Sequence, residues 1–531
     1  MLFRSAVEFR PARRNCVPRG RKLGEQGTSK IKWRCCDDFR LQGGNDSLTT
    51  PEQVDLPSWI WCALFAMVIV RAFVKRGLAV PAVTLGLDDL KSAYRMVPET
   101  LWPYVACMVM WYSFMLMKTV VQTCGGHLYG ARGSNNNFSR VPRLACVVCC
   151  TFFLVGKRHY VDDFMNADLA AGKQTAHEVL CAVLEAMGFK AEPTKHVPND
   201  FVNVTLGAET DLSQLHTAGL AKARPEPGKA ESNLEELRTM KAEGKCTRQQ
   251  AENFVGRTRW LTGQLRARAG TATLQPFSHR ASSTDGDTSW TPDMDGSLQF
   301  LEVVFDPEFL PEIVLNVNEV DVDDVPCVIL LTDSMYEEVV DVWTGEKTGD
   351  LLPVGWIAVD QADGEVYTSD EVVPGWFYDY FPELKQYVTR GEIVAAIGAF
   401  YSAPWLFKGR RVIHFVDNAA ALSNLVNGYA TKPDMARFVN LFHAALMALD
   451  IEWYGEWVPS AANVSDIMTR PERMHLLVAG LRRIFGDDVV INKVPFELPP
   501  AGKSWEDLKQ WMREMRAKGK EAQKPGLEKR V

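Results

Sequence analysis

The chain has 531 residues, 47% of them hydrophobic and 24% charged, which supports sizeable globular cores and about two to four domains. A formal net charge of −7 counts against a nucleic-acid partner, and the Arg-rich first 22 residues lack the apolar core of a secretory signal. The average hides an asymmetry: residues 1–40 carry eleven Lys/Arg against four acids, 221–270 eleven against six and 503–531 nine against five, whereas 285–324 hold twelve acids and no base.

Such basic stretches suit a phosphate backbone, because each contact releases counterions. The alternative for any one of them is a solvated helix face. In chain order, residues 1–210 mix short apolar runs with turn residues and predict an α+β region. Trp59–Val70 is apolar over twelve residues, short of the ~20 needed to cross a bilayer. Leu101–Val121 is longer but is interrupted by Pro103 and Lys118, and is expected as buried sheet. Cys146, Cys149 and Cys150 lie in an apolar run with no second pair, so buried thiols are expected rather than zinc ligands. The twelve cysteines have no regular spacing, which predicts a reducing, intracellular location.

Residues 211–285 turn helical. Ser232–Glu235 and Thr247–Gln250 both have the spacing of a capping box. Phe254, Leu261 and Leu265 then recur at helical spacing, opposite Arg257, Arg259, Arg266 and Arg268. The polar, Gly/Ser/Asp-rich residues 278–300 have the composition of a linker. Beyond it come strands at Cys327–Thr332 and Val354–Val359, a helix at Arg390–Ala403 and a strand at Arg411–Val416. A helix at Asn418–Asn427, another at Met435–Leu449 and a strand at Ile451–Val458 follow. Strands followed by helices at this spacing predict an α/β layer. Residues 503–524 are expected as a charged helix or frayed tail.

Two groups of carboxylates carry the chemistry. Tyr160-Val-Asp-Asp-Phe164 sets adjacent acids between apolar residues; such burial is tolerated when a cation satisfies the charge, and a tight hairpin would bring both to a sheet edge. Leu85-Gly-Leu-Asp-Asp-Leu90 ends an apolar strand in two more acids. Because strand side chains alternate faces, only one of Asp88 and Asp89 can point into a given site. Farther on, Asp333 and Asp417 end strands, Glu392 lies in a helix's first turn and Asp466 opens a closing helix. Each alone has a capping role as its ordinary explanation; together they can converge on one sheet edge.

Lys32–Arg40 with Asn45, Asp89–Tyr94, Tyr129–Arg140, Tyr160–Phe164, Gly188–Lys195 and Thr205–Ala208 resemble, in that order, the reverse transcriptase family. The likeness is greatest to gypsy-like and DIRS-like retrotransposons and runs over roughly residues 30–270. The resemblance implies that Asp89, Asp162 and Asp163 hold two Mg²⁺ ions, Mn²⁺ being the alternative, for in-line nucleotidyl transfer to a primer 3′-hydroxyl. Asp89 is preferred to Asp88 because it fits the family's Asp-Leu-Lys-Ser-Ala-aromatic pattern. Tyr94 would be the steric gate against a ribose 2′-hydroxyl, and Arg34 would grip the triphosphate of the incoming dNTP. Gly130 and Arg132 would lie against the templating pair, and Lys195 near the incoming phosphates.

The chain departs from the pattern at Asn135, where many relatives have Pro, and in a long Asn45–Asp89 segment with an inserted Pro51–Lys75 stretch. The fingers begin abruptly near residue 23, so a native N-terminal portion is expected to be missing.

Residues 326–475 resemble the ribonuclease H domain of retroelements, with Trp457–Arg470 similar to that family's ending. The resemblance implies that Asp333, Glu392, Asp417 and Asp466 hold a second metal pair, which cleaves the RNA strand of an RNA–DNA hybrid gripped through its backbone. The histidine common before the family's last carboxylate is missing from Val458–Asp466.

The expected fold class is multidomain α+β and α/β: a right-hand fingers/palm/thumb polymerase followed by a ribonuclease H-like α/β domain. Residues 1–22 are unassigned, 23–210 form fingers and palm, 211–285 a helical thumb and connection, 286–325 an acidic linker, 326–480 the ribonuclease H-like domain and 481–531 a charged tail. The expected partners are an RNA template, a DNA primer, dNTPs, an RNA–DNA hybrid and other parts of a retroelement polyprotein, with no membrane. The alternative is a catalytically impaired or domesticated remnant that binds nucleic acid; the presence of all seven carboxylates favours activity.

Overall fold

The structure, a computed structural model, describes residues 12–23, 29–38, 56–91, 93–97, 108–113, 115–123, 126–127, 132–172, 174–310, 312–317, 326–374, 387–486, 489–498, 505–519 and 528–529. The chain divides into two compact units: residues 1–223 with 314–317, and 224–313 with 318–531. The expected mixed α+β, multidomain class is the class found.

In the first unit, β1 (Ala12–Leu23), β2 (Ser29–Asp38), β4 (Met108–Ser113) and β5 (Lys118–Thr123) form one sheet in the order β2-β1-β4-β5. The β4–β5 hairpin falls in the stretch expected as buried sheet. Tyr112, Leu116, Met117 and Val121 are instead exposed, because this hairpin is a sheet edge with one pairing partner. A second sheet joins β9 (Val202–Thr205), β10 (Ala208–Asp211), β11 (Leu220–Pro225) and β12 (Ile313–Asn316).

The sheet that carries the first carboxylates has the order β6-β7-β3-β8, from β3 (Val83–Asp89), β6 (Gly156–Tyr160), β7 (Asp163–Leu169) and β8 (Val197–Asp200). Alternation puts Val83, Leu85, Leu87 and Asp89 on one face of β3, and Thr84, Gly86 and Asp88 on the other. Helix α1 (Trp61–Val74) uses the apolar run to bury Cys62, Ala63, Ala66, Met67 and Val70, a helical stripe. Its Phe65 ring lies against Gly156, where a Cβ would fall 1.9 Å from a ring carbon. Helices α2 (Arg132–Phe153) and α3 (Thr175–Ala186) pack Phe138, Cys146, Cys149, Leu180 and Leu184 with Phe164 of β7. Cys146 and Cys149 are thus buried core thiols, as expected.

The second unit is built on a seven-stranded sheet in the order β19-β18-β13-β16-β17-β20-β21. Its strands are β13 (Val328–Ser334), β16 (Pro353–Asp360), β17 (Val366–Val372), β18 (Arg411–Val416), β19 (Glu452–Trp457), β20 (Ile491–Lys493) and β21 (Glu528–Lys529). Strands β13, β16 and β17 are antiparallel neighbours, whereas β18 and β19 run parallel to β13. A separate hairpin joins β14 (Glu337–Val340) to β15 (Lys347–Leu351).

Helices α4 (Lys229–Ala242), α5 (Arg248–Thr262), α6 (Gln275–Ser282) and α7 (Pro292–Val304) precede the sheet. Helices α8 (Val388–Ser402), α9 (Ala419–Asn427), α10 (Pro433–Ala448), α11 (Met474–Phe485) and α12 (Trp505–Lys518) accompany it. Leu237, Phe254, Phe277 and Phe300 of the early helices share one apolar core with Trp356, Phe400, Phe442 and Met512.

Two sequence expectations are corrected here. The supposed linker contains α7, which starts with a Thr291 cap and Pro292 and buries Met294, Leu298, Leu301 and Val304. Of the charged helix or frayed tail expected at 503–524, the helix is the form found: α12 buries Leu508, Met512 and Met515 and stacks Trp511 on Tyr401 with ring centroids 3.7 Å apart. Ser232 does not cap a helix, because α4 already begins at Lys229 after the left-handed Gly228 (φ 82°). Thr247 and Gln250 do form the reciprocal capping box. No described helix is long and apolar enough to cross a membrane.

Candidate active sites

Strands β6 and β7 are joined by a two-residue turn, with Tyr160 paired to Asp163 across it. Val161 takes the first turn position with φ 54°. Tight hairpins need a positive φ there, yet a β-branched residue adopts it only under strain. The turn sets Asp162 at the hairpin tip and starts β7 with Asp163, which pairs in register with Asp89 at the end of β3. The expectation that these acids share a sheet edge is therefore met for Asp89 and Asp163, with Asp162 next to them.

Asp89 is 6% exposed. Burial pushes the Asp163 carboxyl up to about 6, assisted by the charges of Asp162 and Asp89. Burial raises Asp89 too, despite the opposing contact from Lys195 Nζ to Asp89 Oδ2. Lys195 is raised: burial alone would lower it, but Asp89, Asp162 and Asp163 outweigh that. An acidic edge with one cation on it can accept positive charge, and its hard oxygen donors fit a divalent ion such as Mg²⁺. Arg34 lies in β2 and Arg132 opens α2, while Tyr94 lies in a short helix, Ala93–Met96; their side chains, and Gly130 altogether, lie outside the described residues.

Asp88 points to the opposite face, as alternation requires, and is 2% exposed. Lys157 Nζ donates to its Oδ2 at 2.8 Å, while His177 Nδ1 and His196 Nδ1 lie 2.5 and 2.9 Å from its Oδ1. Burial alone would raise this carboxyl; Lys157 and then the two histidines hold it below its usual range. Sequence reasoning named none of these three partners. They come from β6, α3 and the segment just before β8, and no local pattern links them.

In the second unit, Asp333 lies in β13, Asp417 just beyond β18 and Glu392 within α8. Among the described residues, Asp333, Glu392 and Asp417 form one of two groups that bring three ligand atoms within 4.8 Å of one another; the other is Asp88, His177 and His196. Asp89, Asp162 and Asp163 do not form such a group. Burial pushes Asp333 up to about 7, opposed by the Thr469 hydroxyl (2.9 Å) and assisted by Asp417 and Asp466. Glu392 is raised well above its ordinary value by burial, then by Asp333 and Asp417.

One oxygen of Glu392, Oε1, accepts from Ser334 N and Oγ at 3.2 and 3.3 Å. The other, Oε2, is buried with no hydrogen-bond partner. A buried carboxylate oxygen without a donor, beside two further carboxylates, is a donor set that fits a divalent cation. The fourth expected acid, Asp466, lies outside the group and pairs with Arg470 Nη2 at 2.9 Å. Sequence reasoning missed Ser334 and Thr469 as partners, although both adjoin motif acids. Behind the sheet, burial depresses His414 to about 3, and it bonds Thr332 Oγ1 at 2.8 Å.

No protein-family model matches this sequence, and no curated protein matches it. Among solved structures, the chain is similar to the foamy viral protease-reverse transcriptase dRH in complex with double-stranded DNA. That match has 12% identity and a TM-score of 0.41, over 84% of this chain and 65% of that one. It is also similar to the foamy viral protease-reverse transcriptase in complex with an RNA/DNA hybrid, at 12% identity and a TM-score of 0.39, over 86% of this chain and 51% of that one. The chain spans less than two thirds of the length of either.

Proposed function

We propose that this chain is an RNA-directed DNA polymerase that also hydrolyses the RNA strand of RNA–DNA hybrids, and that it derives from a retroelement polyprotein. The observation that carries the reading is the in-register pairing of Asp89 with Asp163, beside Asp162 at a strained turn. In this reading Asp89, Asp162 and Asp163 hold Mg²⁺, which when bound activates the primer hydroxyl and stabilises the leaving pyrophosphate. Lys195 neutralises the acids until the ion and the dNTP arrive, and then faces the phosphates. Arg34, Tyr94, Gly130 and Arg132 keep the roles that the family resemblance implies for them.

The second activity rests on Asp333, Glu392 and Asp417, with Asp466 joining them once Arg470 releases it. The strand order β19-β18-β13-β16-β17, with the acids near the ends of β13 and β18, supports a ribonuclease H-like arrangement. The contact of Lys195 on Asp89 favours one other reading, a remnant that binds nucleic acid without copying it.

The test is extension of a DNA primer on an RNA template with dNTPs and Mg²⁺, for the unmodified protein and Asp162→Asn. Hybrid degradation by both proteins serves as the folding control. Extension that disappears only in the variant supports the assignment. A hybrid-degrading protein that never extends a primer in Mg²⁺ or Mn²⁺ would move the conclusion to the remnant.

A further inference from the structure

Behind the strand that ends in Asp89 lies a cluster that the proposed polymerase does not use. His177 and Cys181 stand one turn apart on α3, so they share a face of that helix. His196 follows Lys195 on a different segment. Both imidazoles aim Nδ1 at one atom, Asp88 Oδ1, and their ring centroids are 3.8 Å apart. The sulfur of Cys181 lies 3.8 Å from His177 Nδ1 and 3.6 Å from its Nε2. Asp88 Oδ2 is taken by Lys157, which fixes the carboxylate's orientation. The histidine side chains are 26% and 20% exposed, leaving a way in for an ion.

Around a tetrahedral ion with bonds of about 2.0–2.1 Å to nitrogen and oxygen, ligand atoms sit about 3.3 Å apart, and about 3.6 Å where one of them is a thiolate. Asp88, His177 and His196 bring ligand atoms within 4.8 Å of one another, and the two Asp88–imidazole distances reach that geometry with outward shifts of less than about 1 Å; Cys181 lies outside that group and has to swing in to become the fourth ligand. Two imidazoles, a thiolate and one carboxylate form a borderline-soft donor set, which selects Zn²⁺ over the hard ions Mg²⁺ and Ca²⁺.

We infer that Asp88, His177, His196 and Cys181 form a structural Zn²⁺ site on the reverse face of β3. Lys157 supports it through the second carboxylate oxygen, as outer-shell groups do in metal sites. The ion ties β3, α3 and the segment before β8 together. It thereby fixes the backbone on which Lys195 reaches Asp89. The inference stands on these four residues alone and holds whether or not the chain copies RNA.

Cobalt reports on this directly, because tetrahedral Co²⁺ absorbs strongly in the visible and a Co²⁺–thiolate bond adds a near-ultraviolet charge-transfer band. The full-length protein is stripped with chelator, saturated with Mg²⁺ to occupy hard oxygen sites, and titrated with Co²⁺. One equivalent should develop both signals, and Zn²⁺ should abolish them. His196→Ala should lose both. Cys181→Ser should lose the near-ultraviolet band and keep visible absorption. His196→Gln, close to histidine in size, repeats the loss if His196→Ala fails to give the circular dichroism of the folded protein. Absence of the tetrahedral signal, or its persistence in both folded His196 variants, would overturn the site. A charge-transfer band that survives Cys181→Ser would overturn the thiolate ligand.

Discussion

Replacing Asp333 by Asn should stabilise the protein in the absence of divalent ions, although it removes a carboxylate that the proposed hydrolysis needs. Asp333 is buried, and its folded value of about 7 stands against an ordinary 3.8. Between those values the unfolded chain has lost its proton while the folded chain keeps it, so stability falls as pH rises. Above the folded value the penalty is complete. About three pKa units at about 1.36 kcal/mol each set a ceiling of about 4 kcal/mol. Part of that shift is repulsion shared with Asp417 and Asp466, so about 2–4 kcal/mol is expected at pH ~8.

The Asn amide oxygen can still accept from Thr469, so that hydroxyl keeps its acceptor. With a urea slope of about 3 kcal/mol per molar, the unfolding midpoint of the second unit should rise by roughly 1 M. The measurement is urea unfolding in EDTA at pH ~8 and again near pH ~4, where the difference should shrink to well under about 1 kcal/mol because the unfolded chain then holds the proton nearly half of the time. Added Mg²⁺ should stabilise the unmodified protein more than the variant. A midpoint at pH ~8 that is unchanged or lower in Asp333→Asn would refute the argument that burial and crowding load this carboxylate.

Two further outcomes are open to measurement. Lys195→Ala removes the cation on Asp89; because the lysine side chain is half exposed, unfolding should shift little, while primer extension should need less Mg²⁺ and a higher dNTP concentration. An unchanged metal and dNTP dependence would remove Lys195 from the site. Thr247→Ala deletes the capping box of α5 and should cost about 1 kcal/mol in urea unfolding with no change in hybrid degradation; a neutral result would mean that tertiary packing alone holds that helix start.

What the sequence disclosed was mainly what neighbouring residues decide among themselves. Arg411–Val416 is apolar, β-branched in part and flanked by turn residues, and it forms the strand read from it. The Tyr160–Phe164 acids needed only a two-residue hairpin to reach an edge. Alternation along Val83–Asp89 correctly sent Asp88 and Asp89 to opposite faces. By contrast, the partners of Asp88 lie 69, 89 and 108 positions away, and a single sequence carries no sign of such a meeting. Helix α7 was hidden differently. Its Thr291-Pro292 start and the spacing of Met294, Leu298 and Leu301 were readable, but a polar, acidic composition outweighed them. Composition averages a stretch, whereas burial follows a single stripe.

The common core of the second unit has a consequence for how that half of the chain can be dissected. Phe254, Phe277 and Phe300 belong to the same packed interior as Trp356 and Phe442. Scissors placed at residue 326, where composition suggests a seam, would cut through one interior and leave each fragment with half a wall. Neither the early helices nor the sheet that holds Asp333 is then a detachable cassette. Within that half of the chain, helix bundle and sheet form one heritable module, which an internal recombination joint or expression boundary dismantles.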